Sequence, residues 1–471
     1  MPGMASESEK GAWYEHPHYR TAVKIISGIV LVATFYTGVI KKDGDFRNHF
    51  VLGEEFLEKH PYHVSEDHPK PVCAHYPLGR LVLDVFLTVP PYRLSRAFNW
   101  VFSLIGLVVS LGLWQRMSQT PGPPRGPTFF AAATLTLLIT LRWLVRDLDD
   151  CGQQLLLVWM LSAAGWWLIR GKSWLAGGLL GLAVTYKATP LLFLPLLLYK
   201  RKWVAALSMG CAILLLNVVA PALFLGWPKT VEASSVFWEK AREISAETRM
   251  DPTANGVEPA KHQNRSLTSA LARCLMTFES GHPLFIPHPR DVTDEAVSLE
   301  RRRPHPLFLQ LLDLSPRRAS HVVSASLLVL ALGLAYRYRR PWGKTVDSGS
   351  FSAEWTGAMI LCAILSPLCW GQHMVLLIPA VFLIISDHLS GGSPRRRTLM
   401  LCLIAGLILG PQRELIGREL WVILHSYKLG TLAALLILFL VLSPRRRFEP
   451  HDVLPDRDEP GDIGGPQKLG V

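Results

Sequence analysis

The sequence predicts an all-α protein that crosses a membrane about twelve times. Of its 471 residues, 49% are hydrophobic, and the mean hydropathy is +0.24. Apolar runs close to membrane-spanning length recur between residues 23 and 442, and a span needs roughly 20 apolar residues to cross a hydrocarbon core about 30 Å thick. The 15 tryptophans suit the aromatic belts at the two membrane–water interfaces. We therefore expect one polytopic membrane domain rather than several soluble domains.

The predicted spans are the apolar runs that lie between polar connections. They occupy residues 21–40, 98–114, 128–145, 153–169, 174–186, 190–199, 203–225, 321–336, 355–368, 373–388, 398–410 and 428–443. Several are short. The two runs that residues 187–190 separate are predicted to be broken or tilted helices, which a membrane tolerates where the break is buried in protein or lines a cavity. The 78–91 stretch is compatible with a position in the interface.

The basic residues predict the orientation in the membrane. Lys and Arg collect in short connections at 200–202, 337–340, 395–397 and 445–447, and such clusters mark the cytoplasmic side. Alternation through about twelve spans then places both termini in the cytoplasm, with the protein in the cell (plasma) membrane. Residues 1–20 are the predicted cytoplasmic N-terminal segment, 21–443 the membrane domain and 444–471 a disordered tail. The 226–320 loop faces outward and is long enough that we expect it to be functional.

Charge and cysteine usage exclude other classes of protein. The net charge of +12 could suggest a nucleic-acid partner, but the basic residues flank apolar runs, so we expect none. The seven cysteines form no CxxC pair and are odd in number, so neither a metal knuckle nor a disulfide scaffold is predicted. The polar leader precedes an apolar run without a small-residue cleavage site, which predicts an uncleaved signal anchor. The oligomeric state stays open.

The first outer loop carries the most suggestive carboxylates. Asp43 and Asp45 flank Gly44 just after the first predicted span, and Tyr76 and Pro77 follow later in the same loop. A carboxylate at the membrane boundary can accept a proton from a hydroxyl acceptor whose other end stays in lipid. The alternative is a solvated turn in which Gly44 permits the bend.

Two further polar interruptions follow the third span. The 146–154 connection holds one Arg and three acids before Gln153, and it is either a site for acceptor hydroxyls or an ordinary solvated flank. Lys187 interrupts an apolar region, where a lysine at the centre of a span would cost about 3 kcal/mol. It is therefore expected either to reach the interface or to pair with an anion such as phosphate.

Two outer connections complete the candidates. Arg265, next to Asn264 in the long loop, can clamp a phosphate with two parallel hydrogen bonds. Gln372 and His373 follow a proline break between two predicted spans, where His373 is either structural or functional. These polar residues collect on one face of the membrane. A transporter would more often show ionisable groups near mid-span and two related halves, so a reaction site at the outer surface is favoured.

The motifs resemble glycosyltransferase family 87, within the GT-C superfamily, whose members include polyprenol-phosphate-mannose-dependent mannosyltransferases. The resemblance covers roughly 43–430 and rests on Gly44-Asp45-Phe46, Tyr76-Pro77, Gly152-Gln153, Lys187-Ala188-Thr189-Pro190, Asn264-Arg265-Ser266-Leu267 and the 366–373 segment. Three positions depart from the family pattern, and they bear on the substrate more than on the fold: Leu78, Gln154 and Gln372.

The resemblance implies a GT-C fold and an enzyme that moves a hexose or pentose, mannose favoured, from a polyprenyl-phosphate sugar to a lipid or glycan acceptor. It implies inversion at the sugar, with Asp45 as general base. The remaining candidates for substrate and phosphate binding are Lys187, Arg265, His373, Asn264, Gln372, Asp43, Tyr76 and Gln153. With these basic groups, no metal or cofactor is required. The alternative function is a lipid-linked glycan transporter or flippase, which would need no essential base.

Overall fold

The computed structural model describes residues 16–41, 44–62, 76–118, 126–251, 264–276, 311–342, 348–390 and 395–443. Within these residues every regular element is a helix and no strand occurs. The predicted N-terminal segment up to residue 15, the tail from residue 444, Asp43 and much of the 226–320 loop lie outside the described residues.

The α-helices follow the predicted apolar runs and add amphipathic helices between them. In chain order they are Pro17–Phe35 (α1), Phe46–Leu57 (α2), Leu78–Thr88 (α3), Tyr92–Ser118 (α4), Gly126–Ile139 (α5), Leu141–Asp149 (α6), Gln153–Ile169 (α7), Ser173–Tyr186 (α8), Phe193–Tyr199 (α9), Trp203–Leu214 (α10), Ala220–Leu225 (α11), Trp227–Met250 (α12), Leu267–Leu275 (α13), Pro316–Arg337 (α14), Ser348–Ile364 (α15), Ile378–Leu389 (α16), Arg395–Leu409 (α17), Arg413–Ser426 (α18) and Leu429–Leu442 (α19).

The helical breaks lie where apolar runs change direction. Two π-helical segments, Tyr36–Lys41 and Leu215–Val219, extend α1 and join α10 to α11. Two 3₁₀ segments, Thr189–Leu192 and Gly371–Leu377, precede α9 and α16. The predicted break after α8 is therefore present, because Lys187 is extended (φ −156°, ψ 131°) and ends that helix.

Several helices are suited to cross a membrane. In the part of the chain that the structure describes, five are long and apolar enough: Pro17–Lys41, Tyr92–Ser118, Trp203–Leu225, Pro316–Arg337 and Gly371–Leu389. A sixth results if α5 and α6, bent by 69°, form one span. Further apolar helices such as α7 and α8 are shorter than a full span. The all-helical membrane architecture is thus confirmed, whereas twelve spans and the GT-C arrangement stay predictions.

The protein core surrounds α7, α15 and the Gly371–Leu389 helix. Of the apolar window in this last helix, 78% is buried, against 17% in Pro17–Lys41, Trp203–Leu225 and Pro316–Arg337. These three spans therefore have most of their apolar surface available to lipid. Inside the core, Trp114 and Trp355 are fully buried and direct their indole N–H groups to α7. Trp114 Nε1 donates to Ser162 Oγ at 2.9 Å, and Trp355 Nε1 donates to the Leu161 carbonyl at 3.0 Å.

Small residues allow the close helix contacts that position the site. On α8, a Cβ at Gly177 would collide with the Ala205 carbonyl of α10, and one at Gly181 would collide with Ala212. Such contacts of small residues are the usual means of helix association in membranes. They hold the end of α8, and hence Lys187, at a fixed place relative to α10.

Gly152, between α6 and α7, provides a stability test. Its φ is +72°, and a Cβ there would overlap the Ser103 side chain. A left-handed conformation costs an L-residue about 1–2 kcal/mol, so Gly152→Ala should lower the melting temperature by that penalty plus the clash. Gly171→Ala is the matched control, because Gly171 has a φ of +76° with open space around it. Thermal unfolding in detergent should show the larger loss for Gly152→Ala. Ser103→Gly should then cost less stability in the Gly152→Ala variant than in the parent, where it removes the hydrogen bond to the Gly152 carbonyl. Equal losses would contradict the predicted clash.

Candidate functional site

The connection between α1 and α2 meets the 366–373 segment at Asp45. Gln372 Nε2 donates a hydrogen bond to Asp45 Oδ2 at 3.3 Å. Asp45 is the N-cap residue of α2, yet its side chain makes no capping hydrogen bond and is exposed. The carboxylate therefore makes no capping hydrogen bond to α2 and is available to other partners. The structure thus brings together Asp45 and Gln372, which are 327 residues apart in the sequence.

The 146–154 connection forms another wall of this site. Gly44, with φ +53°, lies against Asp150, since a Cβ at Gly44 would stand 3.2 Å from Asp150 Oδ1. Asp150 in turn faces Arg146, whose Nε lies 3.5 Å from Asp150 Oδ2. Asp147 is buried and accepts the backbone N–H groups of Gln154 and Leu155, so it caps the start of α7. Asp147 thereby has a structural use, whereas Asp150 lies beside the loop that carries Asp45.

The Lys187 side chain points toward Asp45 and the 146–154 connection. Its Nζ donates to Gln154 Oε1 at 3.1 Å, and the side chain is partly buried. It lies close enough to Asp45 and Asp147 for electrostatic interaction with both carboxylates. The hydrogen-bond partner of Lys187 is a neutral amide, so reaching the interface and pairing with an anion such as phosphate both stay predictions for this lysine.

Gln153 and Tyr76 connect to a buried polar network that sequence reasoning missed. Arg80 Nε donates to Asp84 Oδ1 at 2.8 Å, and His49 Nδ1 lies 3.0 Å from Asp84 Oδ2. Arg80 Nη2 donates to Gln153 Oε1 at 3.2 Å, and Arg80 stacks on Tyr186 at 3.8 Å. The network joins α2 and α3 to the start of α7 and the end of α8. It therefore fixes the helix that Asp45 begins relative to the break at Lys187.

Two features of this network bear on chemistry. Burial, with the charge of Arg80, lowers the pKa of His49 and outweighs Asp84, so this histidine is neutral at physiological pH. The Nε2 group of Gln153 is buried and has no hydrogen-bond partner among the described residues. Tyr76 packs edge-on against His49 at 4.8 Å, and its carbonyl accepts Tyr62 Oη at 2.8 Å. The signal for the network was present in the sequence as Arg80 and Asp84, four residues apart in an apolar stretch.

Asn264 clamps the 366–373 segment and is fully buried. Its Nδ2 donates to the Pro367 carbonyl at 3.1 Å, while its Oδ1 accepts the N–H groups of Cys369 at 3.1 Å and Ser266 at 3.0 Å. Its own carbonyl accepts Lys428 Nζ at 2.8 Å. These bonds favour a positioning role for Asn264 over the predicted contact with substrate.

His373 is also tied to its own segment. Its Nδ1 accepts the Trp370 N–H at 3.1 Å, and the ring interacts with the backbone of Leu368. Both contacts hold the turn that presents Gln372 to Asp45. They favour a structural use of His373, although its predicted role at phosphate stays untested.

Arg265 has a fixed backbone and an unpaired side chain. Its N–H donates to the Cys369 carbonyl at 2.7 Å, and its carbonyl accepts Thr431 Oγ1 at 2.8 Å. The side chain is partly buried and crosses Gly430, where a Cβ would stand 2.9 Å from Arg265 Cδ. Its guanidinium has no hydrogen-bond or ion-pair partner among the described residues, and Nε is buried. Such an arrangement is costly unless an anion arrives.

Two further arginines reinforce the positive potential around Arg265. A Cβ at Gly371 would stand 3.6 Å from Arg146 Cγ and 3.8 Å from Arg265 Nη2, so both side chains reach this glycine. Burial lowers the pKa of Arg265 to about 10; Cys369 opposes that shift, and Arg142 and Arg146 add to it. Arg265 is therefore still charged at neutral pH. Arg142 was not among the predicted site residues, and Arg146 was predicted only as the arginine of the 146–154 connection, although their spacing of four residues predicts one face of a helix.

The described residues contain no group of three or more His, Cys, Asp or Glu side chains placed to hold a metal ion. What they do contain is a carboxylate, a lysine and a cluster of arginines around one loop. That set of groups can accept a proton and bind an anion.

Comparisons with known proteins identify a family of enzymes. The sequence model of glycosyltransferase family 87 matches residues 74–284. The match includes Tyr76, Gln153, Lys187 and Arg265, whereas Asp45 and His373 lie outside it.

A curated relative covers part of the chain. An alpha-(1->3)-arabinofuranosyltransferase of Corynebacterium glutamicum is 27% identical over 188 residues, which are 38% of this chain and 40% of the relative. The chain thus spans less than half the length of the curated relative it matches. No solved structure matches the chain. With the apolar helices, the family match supports a multi-pass membrane glycosyltransferase. Over residues 74–284 the chain resembles glycosyltransferase family 87, and the resemblance that its motifs predicted is confirmed.

Proposed function

We propose that this protein transfers a hexose or pentose from a polyprenyl-phosphate sugar to a lipid or glycan acceptor at the outer membrane surface. Mannose is the sugar that the motif resemblance favours. The curated relative is named as an arabinofuranosyltransferase, which makes a pentose an equal candidate for the assay. The donor supplies its own activated leaving group, so the protein has to bind a phosphate and deprotonate a hydroxyl.

One observation carries the proposal: the candidate base and the candidate anion site both contact the 366–373 segment. Gln372 donates to the Asp45 carboxylate, and its neighbour Gly371 lies against the unpaired guanidinium of Arg265. Consecutive Cα atoms are about 3.8 Å apart, so the two functional groups meet the loop at adjacent residues. This arrangement suits a sugar whose anomeric carbon lies between an acceptor oxygen and a departing phosphate oxygen.

The reaction is a single displacement. Asp45 accepts the proton of the acceptor hydroxyl as that oxygen forms a bond to the anomeric carbon. The bond from this carbon to the phosphate oxygen breaks, and the phosphate leaves with the electron pair from the opposite face, which inverts the configuration. Arg265, with Arg146 beside it, stabilises the negative charge that grows on the phosphate. Lys187 lies within electrostatic reach of the Asp45 carboxylate, and Gln372 orients that carboxylate through its hydrogen bond.

A transfer assay tests the proposal directly. The purified protein in lipid vesicles is incubated with radiolabelled polyprenyl-phosphate mannose or polyprenyl-phosphate arabinose and a membrane-lipid extract as acceptor. We expect labelled glycolipid or glycan from one of the donors, together with release of polyprenyl phosphate. A transporter would instead move labelled lipid across the vesicle without breaking the sugar–phosphate bond. Translocation of intact donor without any transfer would overturn the enzyme proposal.

The proposed orientation has its own test in intact cells. We expect both termini in the cytoplasm and Asp45, Lys187 and Arg265 toward the outside. A cysteine at Glu239, on α12, should then react with an impermeant thiol reagent, whereas one at Arg339, after α14, should react only after permeabilisation. Both side chains are exposed, so burial does not confound the comparison. Reaction of the Arg339 variant alone in intact cells would invert the proposed topology.

A further inference from the structure

The helix α12 has an apolar face that no described part of the protein covers. Trp227, Val231 and Trp238 are 63%, 50% and 59% exposed. At about 100° per residue they fall within about 40° of one another around the helix axis. The packed face is a different one, because Thr230 and Ala233 are buried there.

The packed face fixes α12 on the rest of the molecule. Ala233 and Phe237 join a small apolar cluster with Leu81 of α3 and Phe56 of α2. Lys229 Nζ also donates to the Lys59 carbonyl at 3.2 Å. The face with the two tryptophans therefore has a defined direction relative to the membrane helices.

The remaining side of α12 is polar. Glu232, Ser235 and Glu239 are exposed, and on the helical wheel they lie about 60–120° from the centre of the apolar face. One helix thus carries a packed face, an exposed aromatic face and an exposed charged face. Tryptophan on one side and charge on the other is the composition of helices that lie in a membrane interface.

The position of α12 along the chain identifies what covers the aromatic face. The helix starts immediately after the Trp203–Leu225 span, and Gly226, with φ +85°, makes the break between them. The last turn of that span exposes Leu223 at 84% and Phe224 at 42%, which are residues suited to lipid. Trp227 therefore begins α12 at the boundary where the span leaves the hydrocarbon. We infer that Trp227, Val231 and Trp238 dock α12 onto the lipid surface, with its charged side in water.

Collision accessibility of spin labels tests this docking and does not depend on the enzymatic function. One cysteine is introduced at Trp227, Val231 or Trp238, and in control variants at Glu232, Ser235 or Glu239. The parent has serine at Cys73, Cys211, Cys274 and Cys402, and the three cysteines that it keeps are buried. The protein is reconstituted in vesicles of phosphatidylcholine and phosphatidylglycerol. Oxygen, which concentrates in lipid, should collide with labels at the first three positions several times more, relative to a water-soluble nickel chelate, than at the controls.

Two outcomes would overturn the inference. Equal nickel accessibility on both faces would show that the aromatic face is in water. Low accessibility of the aromatic face to both collision partners would show that protein covers it, either a second copy or another segment of this chain. Val231→Cys guards against local misfolding, since it removes no tryptophan. Circular dichroism of each labelled variant establishes that the helices are intact.

Discussion

Replacing Asp45 by Asn is expected to reduce sugar transfer by about 10²–10⁴-fold, the usual contribution of a general base. The Asn amide has nearly the size of the carboxylate, and its oxygen can still accept the hydrogen bond from Gln372 Nε2. In the parent protein this bond spans 3.3 Å. The amide cannot take the acceptor proton. Donor binding should persist, because the proposed phosphate site is Arg265, which lies against Gly371, and not Asp45. Initial rates of transfer by purified variants in lipid, at matched thermal stability, measure the effect.

Two control variants separate proton transfer from orientation. Gln372→Met removes the hydrogen bond to Asp45 but leaves the base, so the loss should be clearly smaller than that of Asp45→Asn. Asp43→Asn changes the other carboxylate of the loop, which lies outside the described residues, and is expected to be the milder of the two aspartate changes. Near-normal transfer by Asp45→Asn would remove Asp45 as the base. Loss only in Asp43→Asn would move that role two residues toward the N-terminus.

Apolar runs predicted most of the helices, because lipid-facing and core-facing helices are both apolar. They did not separate the two kinds of helix. The Gly371–Leu389 helix is largely buried in protein and the Pro17–Lys41 helix largely exposed, yet both read as similar spans. Short helices such as α8 also depend on contacts with neighbours, here the glycine contacts with α10. Those contacts join residues on two different helices, so the apolar run of one helix does not reveal them.

The sequence predicted most polar residues of the candidate site, but it did not predict which of them contact one another. Asp45, Lys187 and Gln372 were predicted as polar residues beside apolar runs, and Arg265 was predicted as a loop arginine able to clamp a phosphate. Their roles depend on partners that are distant in sequence. Asn264 proved to be a clamp for the 366–373 segment. Arg80 and Asp84 were missed, because a buried ion pair in an interfacial stretch looks the same in sequence as a solvated i,i+4 pair.

The Arg265→Met variant is expected to lose catalytic efficiency without losing stability. The guanidinium has no hydrogen-bond or ion-pair partner among the described residues, and Arg142 and Arg146 repel it. An uncompensated, partly buried charge disfavours folding, so an apolar side chain of similar length should leave the melting temperature unchanged or raise it. Asn264→Ala is the contrasting control, because it removes hydrogen bonds that Asn264 makes to Pro367 and Cys369 and should lower the melting temperature.

The activity of the same variant then tests the phosphate site. Loss of one group that stabilises developing charge typically costs about 10²–10³-fold, and we expect that decrease in the rate of transfer at limiting donor. Arg265→Lys should fall between the parent and Arg265→Met, since an ammonium cannot make the bidentate contact. Polyprenyl phosphate should raise the melting temperature of the parent by binding the folded state, and it should have little effect on Arg265→Met. A variant that is destabilised, but that keeps both its donor use and its thermal response to polyprenyl phosphate, would show that Arg265 is structural and that the anion binds elsewhere.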